Sequence, residues 1–175
     1  DLGRAPWLGE VGAVMTGYLG EAGQAAPVAA LVDAVKAANP AALYLCDPVI
    51  GDSGGLFQPE AVGAAIRSDL LPRADIAMPN HAELDWLTGT ESADNAGLIA
   101  AARALGPPEV VVTSAFARHG AIGNLVVGAS DAFLVRHARL GQVPRGTGDA
   151  LAALYLARRL AGEAAVAALE KAVSA

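Results

Sequence analysis

The chain has 175 residues, a length suited to one domain with a core on both faces of a sheet. Hydrophobic residues make up 54% and charged residues 17%, which excludes a disordered chain, and the formal net charge of −6 argues against a surface built to neutralise nucleic acid or anionic lipid. A single cysteine, Cys46, excludes an internal disulfide framework and a four-thiolate zinc site, and fits a reducing cytoplasm.

No uninterrupted apolar run approaches the length needed to span a bilayer, and Asp1 and Arg4 do not begin a signal-peptide pattern. The first apolar run, Val11 to Leu19, reads as a strand ending in a Gly-Tyr-Leu-Gly turn. Ala25 to Ala38 has helical composition and stops at Asn39-Pro40. Ala42 to Cys46 is too short for an independent helix and breaks at Asp47-Pro48. It therefore reads as a buried strand delivering the glycine-rich loop Gly51 to Gly55.

Pro59 suits the first turn of a helix running to about Ser68, because its missing N–H would have no partner there. Ile76 to Met78 follows as a short strand ending at Pro79-Asn80. His81 to Leu87 reads as a short helix closed by Gly89, and Ser92 to Leu105 as a longer one closed by Gly106-Pro107-Pro108. Val110 to Val112 is the most strand-like triplet. Ile122 to Val127 and Phe133 to His137 flank Gly128 to Asp131 as a hairpin, and Asp149 to Leu160 and Glu163 to Val173 close the chain as helices. Strands alternating with helices predict an α/β fold with a mostly parallel sheet, helices on both faces and an antiparallel edge. Residues 1–175 form a single domain in this reading.

The most informative stretch is Arg145-Gly146-Thr147-Gly148-Asp149, which runs directly into a helix rich in alanine and leucine. Its glycines let backbone N–H groups turn toward one point, and the helix start adds partial positive charge, so the turn suits a phosphoryl group. Asp149 falls in the first turn, within reach of the proton of a hydroxyl attacking that group. Taken alone, the five residues are read equally well as a helix-start acid behind a tight loop. The glycine spacing matches neither a Walker A motif nor a dinucleotide fingerprint.

Three other strand ends carry similar chemistry: Asp47 and Asp52 after one, Asn80 and Glu83 after the next, Thr113 and Ser114 after a third. In an open parallel sheet these ends share one edge, where ligands bind. Each of these residues also has a plain role as a turn former, a helix-start acid or a strand-end residue. His81 and His119 read as surface or loop residues with no metal-binding partners. Cys46 reads as packed, its thiol pKa raised by nearby negative charge.

Asp47-Pro48-Val49 with Gly51-Asp52, Asn80-x-x-Glu83, Val112-Thr113-Ser114 and Gly146-Thr147-Gly148-Asp149 together resemble, in order and approximate spacing, the pyridoxal kinases of the ribokinase-like superfamily. Thr16-Gly17-Tyr18 is similar to the family's substrate-side segment. The resemblance spans Val11 to Leu160 and implies a three-layer αβα sandwich that phosphorylates the 5′-hydroxymethyl group of pyridoxal, pyridoxine or pyridoxamine with ATP and Mg²⁺. In that resemblance Asp149 is the base, and the N–H groups of Gly146, Thr147 and Gly148 steady the transferring phosphoryl group. Asn80 and Glu83 organise metal and phosphates, partly through water. Asp47 and Asp52 lie near cation and terminal phosphates, with Asp52 and Glu83 as the metal-side acids. Thr113 and Ser114 resemble phosphate or K⁺ contacts, and Tyr18 a ring that lies against the vitamin. The family also implies a cytoplasmic homodimer.

The sequence departs from the family in lacking the N-terminal stretch that holds much of the substrate pocket; the chain begins with Asp rather than Met and is expected to lack that portion. Arg145 stands where members often carry a smaller residue, and Met78 where a small hydroxyl residue is common. Hydroxymethylpyrimidine kinases on the same scaffold typically carry a cysteine after the turn, where this chain has Ala150. They, other ribokinase-like kinases and a non-catalytic vitamin- or nucleotide-binding homologue are the competing readings.

Overall fold

The computed structural model describes residues 2–141 and 146–175. Its principal sheet has six strands: β1 (Ala13–Thr16), β2 (Leu43–Cys46), β5 (Ile76–Ala77), β6 (Glu109–Ala115), β7 (Ala121–Val127) and β8 (Ala132–Ala138), adjacent in that order. Pairings from β1 through β6 are parallel, and those of β6 with β7 and β7 with β8 are antiparallel. The expected mostly parallel sheet with an antiparallel edge is thus the observed one. Between β2 and β5 a separate two-stranded hairpin, β3 (Gly51–Asp52) and β4 (Gly55–Leu56), occupies what the composition predicts as an irregular glycine loop. Two-residue strands carry no periodicity, so pattern reading misses them.

Side chains alternate across the sheet and divide the core into two layers. Tyr44, Cys46, Ala77, Val110 and Val112 face one side, against helices α1 (Ala25–Ala38), α2 (Glu60–Ala65), α3 (His81–Thr88) and α4 (Asn95–Leu105). Leu45, Ile76, Val111 and Val126 face the other, against α5 (Thr147–Leu160) and α6 (Ala165–Val173). This is the three-layer αβα sandwich expected from the sequence. Among the described residues no helix is long and apolar enough to cross a membrane.

Local chemistry explains where elements start and stop. α1 ends where Asn39 takes an extended conformation and its Nδ2 donates to Val11 O at 3.0 Å. Pro59 is the residue capping α2, with ψ 141°, rather than a first-turn residue. The helix passes into a wider turn over Ile66–Leu70 and a tight one over Leu71–Arg73, extending the expected end at Ser68. α4 starts at Asn95 instead of Ser92 because Asp94 accepts from Gly97 N at 2.9 Å, while Ser92 is held by Asp85 through both its N–H and its hydroxyl. The first apolar run contracts to the four residues of β1.

The helix that carries Asp149 is anchored from its far end. Tyr155 of α5 donates to Glu109 Oε1 at 2.7 Å, and Arg159 donates to both Glu109 oxygens at 3.0 and 2.9 Å, tying α5 to the start of β6. A two-bond guanidinium–carboxylate pair fixes direction as well as distance. Its geometry sets where the opposite end of α5 meets the sheet edge.

Candidate active site

A cavity of about 210 Å³ opens at the carboxyl ends of β2, β5 and β6. Asp47, Asn80, Glu83 and Thr113 line it from the sheet, and Gly146, Gly148 and Asp149 line it from the start of α5. Segments separated by about a hundred residues therefore meet at one edge, as expected for strand-end loops of a parallel sheet. Gly146 stands at the helix cap with φ 89°, a left-handed conformation that glycine adopts without a steric penalty. That conformation turns the chain sharply into α5 and leaves Asp149 exposed in the first helical turn. Gly17, just past β1, lies alongside: a Cβ on it would stand 3.5 Å from Asp149 Oδ1. Thr16-Gly17-Tyr18 thus adjoins Asp149. The Tyr18 ring is 65% exposed and does not line the cavity.

Glu83 is a buried clasp. Its Oε1 accepts from Ile50 N at 3.0 Å and Gly51 N at 3.3 Å, and its Oε2 accepts from Asn80 N at 2.9 Å. Asn80 completes a reciprocal cap by accepting from Glu83 N at 3.0 Å, and its Nδ2 donates to Gly51 O at 2.8 Å. One carboxylate thereby holds the loop after β2 against the start of α3. Burial raises the Glu83 carboxyl to about 7, while the three N–H donors favour its ionised form and oppose that rise.

Asp47 is also buried, yet among the described residues no donor hydrogen-bonds its carboxylate. Burial first, then the charges of Glu83 and Asp149, push it from its ordinary 3.8 to about 7. Three carboxylates around a cavity that could take an anionic phosphate call for a cation. Asp47, with free acceptor capacity, fits a magnesium ion better than Glu83, whose oxygens are committed. No three His, Cys, Asp or Glu side chains among the described residues are grouped to hold a metal ion. The fit is to an ion that takes its remaining ligands from phosphate oxygens and water.

The raised carboxyl has a consequence for stability. Because the folded Asp47 holds its proton up to about 7 and the unfolded one only to 3.8, the folded state binds more protons across that interval, and stability falls as pH rises through it. Between pH 5 and 8 the wild-type melting midpoint is expected to drop by about 4 °C more than that of Asp47→Asn. Glu83 still titrates in the variant, so its profile flattens without becoming level. Thermal scans at matched ionic strength check this; equal slopes would show that Asp47 is not the group that titrates.

The remaining expected site residues divide. Thr113 reaches the cavity and bridges to Asn80, with its N–H donating to Pro79 O at 2.9 Å. Ser114 and Thr147 do not line it, and Ser114 has φ 56°. Asp52 caps its own hairpin, accepting from Gly54 N at 2.7 Å, and lies in a smaller hollow that Glu83 also borders. Arg145 lies outside the described residues. Cys46 is buried with its thiol raised to about 12; burial is the leading cause, ahead of the neighbouring acids. His119 stands in an exposed turn, but His81 is not a loop residue. It opens α3, pairs with Asp85 at 3.2 Å and packs on the Phe116 ring. Phe57 borders the cavity, and sequence reading does not single it out. Its only signal is an aromatic ring beside a glycine-rich loop.

The profile of the phosphomethylpyrimidine kinase family matches residues 9–174. The pyridoxal kinase PdxY of Rubrobacter xylanophilus is 38% identical over 99% of this chain and 61% of its own length. Pyridoxal kinase from Leishmania donovani, solved with ADP and pyridoxamine, superposes with a TM-score of 0.85 at 30% identity, covering 95% of this chain and 60% of that one. A putative phosphomethylpyrimidine kinase from Bacteroides thetaiotaomicron, crystallised with pyridoxal, gives 0.83 at 25% identity over 92% and 59%. The chain spans about three fifths of the length of the curated relatives it matches. Because the match takes in every strand and helix that borders the cavity, the chain belongs to the phosphomethylpyrimidine kinase family and has its ribokinase-like fold.

Proposed function

We propose that the protein transfers the γ-phosphoryl group of ATP to the 5′-hydroxymethyl group of pyridoxal, pyridoxine or pyridoxamine. The observation that carries this reading is the placement of Asp149 beside the Gly146–Gly148 turn, across one cavity from Asp47 and next to Gly17. The pyridoxal kinase names of the relatives, and the ADP and pyridoxamine bound by the Leishmania protein, support the substrates.

The acceptor hydroxyl lies against Asp149, which takes its proton as the oxygen bonds to the γ-phosphorus. The bond from that phosphorus to the bridging oxygen breaks, and ADP carries the electrons away. The backbone N–H groups of Gly146, Thr147 and Gly148 steady charge on the transferring group. Asp47 would hold a magnesium ion there, which would supply charge neutralisation for the phosphates; Glu83 and Asn80 would act through the loop they fix and through water, and Asp52 from the neighbouring hollow. Thr113 and Ser114 serve the phosphates or a K⁺ ion, and Tyr18 covers the vitamin ring. The same reading carries a cytoplasmic homodimer.

The family's description, phosphomethylpyrimidine kinase, supports a second reading in which the acceptor is a pyrimidine such as hydroxymethylpyrimidine. Product assays on the full-length protein with ATP and each acceptor separate the two. The ratio of kcat/KM is expected to favour pyridoxal by about tenfold or more. The reverse ratio would assign the pyrimidine, and binding of ADP without any phosphorylated product would identify a non-catalytic homologue.

A further inference from the structure

Among the described residues, Ser114 alone of the non-glycine residues has a positive φ, at 56°. Such a conformation is disfavoured for a residue with a Cβ, and it persists only where the surroundings over-determine it. It falls on a register shift between Val112 and Ala115, where β6 bulges away from β7 directly after the cavity-lining Thr113.

Three elements hold that bulge. Asn95, the first residue of α4, brackets Phe116 with both ends of its amide: Nδ2 donates to Phe116 O at 3.0 Å, and Oδ1 accepts from Phe116 N at 3.0 Å. The side chain thus replaces the strand partner that Phe116 lacks. His81 of α3 packs its ring on Phe116 with centroids 4.8 Å apart, and Asp85 lies 3.2 Å from His81 Nε2. From β7, Gly123 admits the bulged backbone: a Cβ there would meet Ala115 O at 2.8 Å and Phe116 O at 3.1 Å. On the near side, Thr113 is tied to Pro79 and bridged to Asn80. The strained residue is therefore pinned on both flanks.

We infer that Asn95 is a positioning residue: by clasping Phe116 it holds Ser114 in its left-handed conformation and so sets the adjoining Thr113, which lines the cavity proposed for the nucleotide phosphates. The inference rests on the kinase reading for its ligand but not for its geometry. Without the clasp, a serine relaxes toward the extended region, whereas a glycine has no such preference. Removing Asn95 should therefore matter less when residue 114 is glycine.

The test is a double-mutant cycle on the full-length protein, with amide hydrogen exchange across residues 113–118 as a readout independent of activity. Asn95→Ala is expected to speed exchange of that segment by about tenfold or more while the rest of the chain is unchanged. It is also expected to raise KM for ATP by about tenfold, with kcat and the acceptor KM within about twofold. In a Ser114→Gly background the same substitution should cost less than about threefold in KM, whatever Ser114→Gly costs by itself. Asn95→Asp, which keeps the acceptor and loses the donor, should fall between. Unchanged exchange, or an equal cost in both backgrounds, overturns the inference. If the wild type makes no product with any acceptor, the kinase reading falls, and the exchange arm still decides whether the clasp exists.

Discussion

Replacing Asp149 by alanine or asparagine is expected to lower turnover by about a hundredfold or more, the range associated with loss of a general base. Nucleotide affinity should stay within about twofold, because the residue meets the acceptor's proton in the transition state and makes no bond to the purine or sugar in this account. The structure motivates the split. Asp149 lies in the first turn of α5, exposed, with Gly17 on one side and the turn glycines on the other. The α5 helix itself is fixed by Tyr155 and Arg159 at Glu109, so substitution at the exposed end leaves its packing intact. Steady-state kinetics beside calorimetry with an ATP analogue check the prediction. Full turnover in Asp149→Ala would remove the residue from the chemistry.

Glu83→Ala should have the largest effect on stability of any cavity substitution. It deprives the N–H groups of Ile50, Gly51 and Asn80 of their acceptor at one stroke. An unsatisfied buried donor costs about 1–3 kcal/mol, so a total loss of about 3 kcal/mol or more is expected even after water reaches part of the site. Glu83→Gln keeps the shape and one acceptor oxygen but turns an NH₂ group toward at least one N–H, and should lose about half as much. Urea unfolding reads both, as a lower midpoint with little change in slope. A loss below about 1 kcal/mol for Glu83→Ala would show that the clasp does not hold the loop. Activity should fall alongside stability, because the loop that Glu83 fixes begins at Asp47.

Much of the fold is legible because punctuation residues mark it. Asn39-Pro40, Asp47-Pro48 and Gly89 stop their elements, Pro40 by excluding the helical conformation of the residue before it and Gly89 by taking a left-handed one, and α1 runs over the residues composition assigns to it. The hairpin of β7 and β8 follows from β-type runs around Gly128 to Asp131. Legibility ends where the deciding contact is distant in sequence. Glu83 reads as a helix-start acid, and it is one, but its reach to Ile50 and Gly51 over more than thirty residues leaves no local pattern. Asp47 reads as a turn former, while its lack of donor partners among the described residues and its raised carboxyl depend on what three separate loops place around it. The left-handed Ser114 and the Asn95 clasp are likewise invisible, since neither residue type announces the geometry. Asp52, which the family resemblance puts on the metal side, also fills the turn role its residue type suggests, with Oδ1 accepting from Gly54 N.

The most direct measurement is a crystal structure of the full-length protein with a non-hydrolysable ATP analogue, Mg²⁺ and pyridoxal. The terminal phosphorus should lie in the cavity bordered by Gly146, Gly148 and Asp47, with the pyridoxal hydroxyl between it and the Asp149 carboxylate. Nucleotide seated in the separate hollow of about 320 Å³ by Arg103 and Gly106, or an acceptor hydroxyl on the far side from Asp149, would contradict the account.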